Sequence, residues 1–114
     1  MREPVRDKGR LEHIIQAIEK IEQYTDGLTK EQLLSDSLRI HATAYNIQII
    51  GEATYRLTRD FKNNHTGTPW NIIEKMRHVL VHDYYMVDVE FLWSVVQDDI
   101  QPLKIKVNDY LKEM

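Results

Sequence analysis

Apolar residues recur at helical spacing through almost the whole 114-residue chain, and this periodicity limits the fold more than any other feature. The first segment illustrates it, because one stripe of a helix collects Leu11, Ile14, Ile15, Ile18 and Ile21. The chain has only four glycines and three prolines, which disfavours an all-β fold with many tight turns. The pattern therefore predicts an all-α protein.

Capping signals place the ends of the first helix and of the turn that follows it. Asp7 is the predicted N-cap, and Gly27 is the predicted stop. A short turn is expected over residues 29–34, where Thr29 and Gln32 have capping-box spacing.

The second long helix is predicted to start after Ser35 or Asp36 and to run to about Phe61. Its expected apolar stripe consists of Leu38, Ala42, Tyr45, Ile49, Ala53 and Leu57. Gly51 lies inside this helix, where glycine costs about 1 kcal/mol relative to alanine. Either Gly51 lets another backbone approach closely, or it is a tolerated weak position.

Residues 62–68 are polar and predict a loop, after which Thr68 and Pro69 are expected to open the third helix as N-cap and first residue. That helix has the apolar stripe Ile72, Ile73, Met76, Val79 and Leu80, and it should end near residues 83–85. The fourth helix is predicted to start near Asp88 and to kink at Pro102. Together the segments predict a single domain over residues 1–114, folded as an antiparallel four-helix bundle.

Composition and charge exclude several classes of protein. The chain has no cysteine, which excludes disulfide scaffolds and thiolate metal sites. No apolar run approaches the ~20 residues of a membrane span, and the N-terminus is too polar for a signal peptide, so we expect a cytoplasmic protein without a membrane partner. The net charge of −3 excludes a large nucleic-acid footprint, although residues 56–82 carry five basic and two acidic side chains.

Residues 76–85, with the sequence MRHVLVHDYY, concentrate the side chains that could do chemistry. His78 and His82 are four residues apart and share a helix face, as do Arg77 and Tyr84 at a spacing of seven. The plain alternative is a set of surface residues at a helix C-terminus, where cationic side chains favour the negative end of the dipole. Two sharper hypotheses stand beside it.

The first sharper hypothesis is a zinc site on His78 and His82, with Glu74 one turn earlier. The second is phosphoryl transfer without a metal, in which an imidazole moves a proton and the Arg77 guanidinium stabilises the developing charge. A single histidine cannot easily serve as both acid and base, but a symmetric dimer would supply two.

Around this segment the chain resembles a known family. The spacing Arg77-x4-His82-x-Tyr84 is similar to the Arg-x4-His-x-Tyr signature of HepT-like toxins, a branch of the HEPN superfamily. IGEATYRL, over residues 50–57, resembles the Ile-Gly-Glu-Ala stretch of their middle helix. TPWNIIEKMR resembles their approach to the signature, and VDVEFLWSVVQDDIQPLK resembles their last helix with its internal proline. The resemblance runs from about Leu11 to the C-terminus and departs at His78, where the family often has asparagine.

The resemblance implies a HEPN four-helix bundle that forms a homodimer, with the two signature helices meeting in a cleft. It implies a metal-independent endoribonuclease that needs no cofactor and leaves a 2′,3′-cyclic phosphate on its RNA substrate. Arg77 and His82 carry over as the catalytic pair, and His78 is a further candidate for proton transfer. The implied partner is a cognate minimal nucleotidyltransferase antitoxin that transfers AMP to Tyr84.

Two alternatives stay open at this point. The first is a non-catalytic HEPN module that binds a nucleotide or docks a nucleotidyltransferase without turning over RNA. Glu52, which follows Gly51 on the middle helix, either pairs with Arg77 across the bundle or is an ordinary exposed glutamate.

Overall fold

The structure is a computed structural model that describes residues 6–79 and 86–114. The helices of these residues are α1 (Asp7–Thr25), α2 (Lys30–Leu34), α3 (Ser37–Arg56), α4 (Arg59–Asn64), α5 (Trp70–Val79), α6 (Val89–Ser94), a π-helical segment (Val95–Asp99) and α7 (Ile100–Lys112). This confirms the predicted all-α class. None of these helices combines the length and the apolar character needed to cross a membrane.

The core lies where α1, α3, α5 and α7 pack on one another. α1 packs along α3, α3 packs against α5, and α7 returns against α1. The largest fully buried apolar side chains are Leu11, Ile14, Ile18, Ile21, Leu33, Ile47, Ile50, Leu92, Val95 and Val107. The helical packing is consistent with a HEPN-like fold.

The start of α1 differs from the prediction. Arg6, without a side-chain cap, precedes the helix, and Asp7 is its first residue. The Asp7 carboxylate instead accepts hydrogen bonds from the backbone N–H of Thr58 at 2.9 Å and from its hydroxyl at 2.7 Å. The prediction of Asp7 as an N-cap was therefore wrong, because this side chain serves a residue that is distant in sequence.

The same contact lies just beyond the point where the second long helix ends earlier than predicted. α3 ends at Arg56, and Leu57 adopts an extended conformation with φ −61° and ψ 142°. Thr58 then caps a new helix, α4, by accepting from the backbone N–H of Phe61 at 3.1 Å. The continuous helix to Phe61 was wrong, and so was the loop at residues 62–64, which belong to α4.

The buried face of α3 also differs from the predicted stripe. Leu38 is 81% exposed and Tyr45 is 64% exposed. The side that α1 and α5 cover includes Ile40, Thr43, Ala44, Asn46, Ile47, Ile50, Gly51, Ala53 and Thr54. Because α3 has apolar residues on both sides, periodicity alone did not identify the side that faces the core.

An aromatic cluster surrounds the start of α5. The hydroxyls of Thr68 and Tyr110 are hydrogen-bonded at 2.6 Å, and the indole N–H of Trp70 donates to the carbonyl of His65 at 2.8 Å. The rings of Phe61, His65, Trp70 and Tyr110 pack on one another. The buried Thr68 hydroxyl therefore binds Tyr110. α5 begins at Trp70, so Pro69 directly precedes the helix and is not its first residue as predicted.

The last helical run begins as predicted, since the Asp88 carboxylate accepts from the backbone N–H of Phe91 at 3.0 Å and caps α6. The helix then widens into the π-helical segment before Pro102, which lies in the first turn of α7. Proline has no N–H to donate to the carbonyl four residues earlier, and local widening is one way in which a helix adapts to such an interruption. The kink at Pro102 stays a prediction.

Candidate functional site

Arg77 lies on α5 where this helix passes close to Gly51 of α3. A Cβ atom added to Gly51 would lie 3.0 Å from both the Cβ and the backbone nitrogen of Arg77. Such distances are shorter than nearly all real Cβ contacts, so a side chain at this crossing would require α5 to shift by a few tenths of an ångström. Of the two interpretations of Gly51, close backbone approach is therefore the one that the structure supports.

Three groups hold the side chain of Arg77. Its Nη1 lies 3.4 Å from Oε1 of Glu52, its Cζ lies 3.8 Å from the centroid of the Tyr55 ring, and its Nε donates to Nε2 of His78 at 3.0 Å. The Arg77 side chain is only 17% exposed. Contacts in three directions leave the guanidinium few orientations, which is the kind of preorganisation that an electrostatic role requires.

Glu52 is both paired with Arg77 and exposed, so the two interpretations of this residue do not exclude each other. It pairs with Arg77 and also lies 4.0 Å from Nε of Arg56, yet its side chain is 50% exposed. The carboxylate therefore reaches Arg77 from the edge of the protein and does not isolate the guanidinium from solvent. Of the two alternatives left open for Glu52, the structure thus shows a contact with Arg77 made by a half-exposed side chain.

The remaining predicted site residues divide between the described and the undescribed parts of the chain. His78 is exposed beside Arg77, and its Nε2 accepts a hydrogen bond from Nε of Arg77. His82 and Tyr84 lie outside the described residues. The pairing of Arg77 with His82 therefore stays a prediction.

The described partners of the hypothetical zinc site are engaged elsewhere. Glu74 Oε2 lies 3.5 Å from Nζ of Lys62, and His78 accepts from Arg77. Over residues 6–79 and 86–114, no three side chains of His, Cys, Asp or Glu come together as a metal-binding group. His82, which that hypothesis also requires, is not among these residues.

Tyr55 is the site residue that sequence reasoning missed. Its ring is half exposed and forms one wall of the Arg77 site. The stacking of a guanidinium on an aromatic face is favourable by about 0.5–2 kcal/mol. A signal was present in the sequence, because Glu52 and Tyr55 are three residues apart and share a face of α3.

The opposite side of α5 has a different character. A cavity of about 460 Å³ with mostly apolar walls lies between α5, the π-helical segment and α7. Asp98 and Asp99 line it, and partial burial together with the charge of Asp98 raises the pKa of Asp99. The basic side chains near Arg77 and these two acids therefore lie on separate surfaces.

Comparisons with known proteins agree with the resemblance seen in the sequence. The family model described as Ribonuclease HepT-like matches residues 14–110. A Thermococcus cleftensis protein named as a probable ribonuclease HepT is 41% identical over 99 residues, which cover 87% of this chain and 90% of that protein. A Caldanaerobacter subterraneus protein named as a putative RNase is 31% identical over 103 residues, covering 90% and 92%. No solved structure gives a significant match.

One further relative shows the same unit inside a longer protein. A Methanocaldococcus jannaschii protein named as a gamma-glutamylcyclotransferase and putative RNase is 34% identical over 104 residues, which cover 91% of this chain but 47% of that protein. From the extent of the family match and the 41% identity to a relative of similar length, we conclude that the chain belongs to the ribonuclease HepT-like family of the HEPN superfamily.

Proposed function

We propose that this protein is a metal-independent endoribonuclease toxin of a toxin–antitoxin system. The observation that carries the proposal is the guanidinium of Arg77, held by Glu52, Tyr55 and His78 at the position of the family signature. A fixed cation at the protein edge suits an RNA phosphate, which must reach it from solvent. The family match and the names of the relatives support RNA as the substrate class.

The proposed reaction uses the 2′-hydroxyl of the RNA as its own nucleophile. His82 removes the proton from this hydroxyl or gives one to the leaving 5′-oxygen, and the other role falls to the symmetry-related His82 or to His78. Arg77 stabilises the negative charge of the phosphorane. The O2′–P bond forms and the P–O5′ bond breaks, which leaves a 2′,3′-cyclic phosphate and a free 5′-hydroxyl.

The proposed assembly is a homodimer in which Arg77 and His82 of both protomers meet in one cleft. The uncovered face of α3 supports it, because Leu38, Tyr45 and Glu52 follow one another at spacings of seven residues. The first two are exposed, and the third contacts Arg77. A two-fold contact along this face would bury the apolar side chains and bring the two Arg77 side chains toward each other.

The remaining features of the proposal follow the family resemblance. The protein is a single domain over residues 1–114 in the cytoplasm, with a four-helix bundle and a kink at Pro102. It requires no metal and no cofactor. Its partner is a cognate minimal nucleotidyltransferase that transfers AMP to Tyr84 and so inactivates the nuclease. The alternative function is a non-catalytic module that docks the nucleotidyltransferase. The absence of RNA cleavage by the wild type would favour this alternative.

The experiment measures cleavage of end-labelled RNA in EDTA by the wild type, His82→Ala and Arg77→Ala. Intact-mass spectrometry first shows that each preparation carries no covalent modification. We expect the wild type to leave cyclic phosphate ends and each variant to lose at least about 100-fold in rate. Size-exclusion chromatography should show that the variants keep the oligomeric state of the wild type. If either variant cleaves like the wild type, the assignment of that residue is wrong.

A further inference from the structure

A polar cavity of about 620 Å³ lies beside Arg77, where the end of α3 meets α4 and α5. Its lining includes Tyr55, Arg59, Lys62, Asn63, Asn71 and Glu74. Sites for small molecules typically span about 300–1,000 Å³, so a single nucleotide is of suitable size. The family signature lies outside this lining, which comes from the segments before it.

Arg59 gives the cavity its available positive charge. Lys62 also lines it, but its ammonium group is 3.5 Å from the Glu74 carboxylate, and both side chains are mostly buried. Arg59 is exposed and forms no ion pair with the other side chains of residues 6–79 and 86–114. A free guanidinium can bind a phosphate through two parallel N–H donors, which an ammonium group cannot do.

Tyr55 joins this cavity to the candidate active site. Its ring contacts the guanidinium of Arg77 and also forms part of the cavity wall. A strand whose scissile phosphate lies at Arg77 therefore needs to pass only one side chain to reach the cavity. Sequence-specific proteins bind single-stranded RNA by this combination of phosphate contacts, aromatic surfaces and polar groups at base edges.

Two amides line the same cavity and match the chemistry of a base edge. Asn63 on α4 and Asn71 on α5 each offer a carbonyl acceptor and two N–H donors. Both side chains are exposed, so they are accessible to a ligand. An apolar or purely cationic cavity would lack this capacity to distinguish one base from another.

We propose that this cavity binds the nucleotide adjacent to the scissile phosphate, with Arg59 on its phosphate and the Asn63 and Asn71 amides at its base. The inference rests on the proposed nuclease function and extends it by assigning a substrate-binding subsite. Arg59 is thus a binding residue, distinct from the residues that act at the reacting phosphorus. The subsite would give the enzyme a base preference on one side of the cleavage position.

The test separates binding from cleavage. Fluorescence anisotropy with a mixed-sequence, single-stranded 2′-O-methyl RNA measures affinity at several salt concentrations, because this probe lacks the attacking hydroxyl. The variants are Arg59→Gln and, as a matched control, Lys20→Gln, which removes one positive charge from an exposed position on α1. We expect Arg59→Gln to bind about tenfold more weakly and to lower the slope of log affinity against log salt by about 0.7. Lys20→Gln should match the wild type.

Cleavage of ordinary RNA by the same proteins supplies the second readout. We expect Arg59→Gln to raise KM more than it lowers kcat, because it removes a contact made before the transition state. Asn71→Ala should narrow the differences in rate between substrates that vary only at the adjacent base. Wild-type affinity and salt slope in Arg59→Gln would overturn the subsite. If the wild type cleaves no RNA but Arg59→Gln still weakens RNA binding, the proposed nuclease function is wrong and the cavity remains an RNA-binding site.

Discussion

The two ends of α5 differ in how their polar groups are used. At the start of the helix, the Thr68 and Tyr110 hydroxyls are buried and bonded to each other at 2.6 Å, and Trp70 donates to a backbone carbonyl. At the other end, Arg77 meets Glu52 at 3.4 Å, and Glu52 remains half exposed. One end has short, enclosed pairs, whereas the other holds a mostly buried guanidinium against a half-exposed carboxylate.

This difference separates the regions that stabilise the protein from those proposed to act on RNA. Enclosed hydrogen bonds and packed rings make the start of α5 sensitive to the loss of any partner. The Arg77 end combines a tight backbone contact at Gly51 with side chains that solvent and substrate can reach. We therefore expect substitutions at the first end to lower stability, and substitutions at the second to lower activity.

Gly51→Ala should reduce RNA cleavage more than the other substitutions considered below. The new Cβ would press on the Arg77 backbone nitrogen, so α5 must move by a few tenths of an ångström. Misplacement of a catalytic group on this scale reduces rates steeply, and we expect RNA cleavage to fall about 100-fold. Overpacking should lower the free energy of unfolding by about 1–3 kcal/mol, and the gain of about 1 kcal/mol in helix propensity offsets part of this loss. Cleavage kinetics and chemical denaturation measure the two quantities.

Gly27→Ala is the matched control for this substitution. Gly27 has φ +73° and no atom within 4 Å of an added Cβ, so alanine there introduces backbone strain without a clash. We expect a stability loss of about 1 kcal/mol and no change in cleavage per folded molecule. If Gly51→Ala loses no more activity than Gly27→Ala, the close approach of α3 and α5 does not position Arg77.

At the start of α5, Tyr110→Phe should show the opposite behaviour. It leaves the buried Thr68 hydroxyl without its partner and should cost about 1–3 kcal/mol of unfolding free energy. RNA cleavage per folded molecule should stay at the wild-type level, because the aromatic cluster contains none of the proposed catalytic groups.

The double variant Tyr110→Phe with Thr68→Val tests the cause of that loss. Removing both hydroxyls leaves no unpaired polar atom from this pair, so part of the lost stability should return. A double variant whose losses simply add would show that the hydrogen bond between the two hydroxyls is not the source of the effect.

Local signals predicted those parts of the fold that local interactions determine. The Thr29 capping box forms, although it caps the short helix α2 and not the predicted turn, and of the two predicted starts of α3 the structure has the one capped by Asp36. Each of these caps joins groups only three residues apart. The buried stripe of α1 also follows its periodicity, with only Ile15 partly exposed. The break between α3 and α4 was missed although Thr58 caps α4 locally, and the Asp7 carboxylate that also binds Thr58 lies 51 residues away.

The candidate site was predictable to the same extent. The signature spacing identified Arg77, and the residues before it suggested Glu52 as a partner. The place of Tyr55 beneath the guanidinium depends on how closely α3 and α5 approach, and a list of residues does not contain that distance. The cavity around Arg59 likewise arises only when α4 turns away from α3.

The smallest expected effect concerns Glu52, and Glu52→Gln removes its charge while keeping its size. The exposed pair with Arg77 should contribute less than about 1 kcal/mol to stability. Tyr55 and His78 continue to hold the guanidinium, so we expect kcat to fall only about threefold, with little change in KM. Steady-state cleavage kinetics measure this split.

Glu90→Gln is the control for Glu52→Gln, because Glu90 also loses an exposed ion pair, with Lys30 at 2.7 Å, but on α6 rather than beside Arg77. Both variants should keep nearly the same melting temperature as the wild type. Only Glu52→Gln should lower kcat. Equal kcat values in the two variants would mean that Tyr55, His78 and the close backbone contact orient Arg77 without help from Glu52, so the end of α5 proposed for catalysis would depend on packing as much as the other end does.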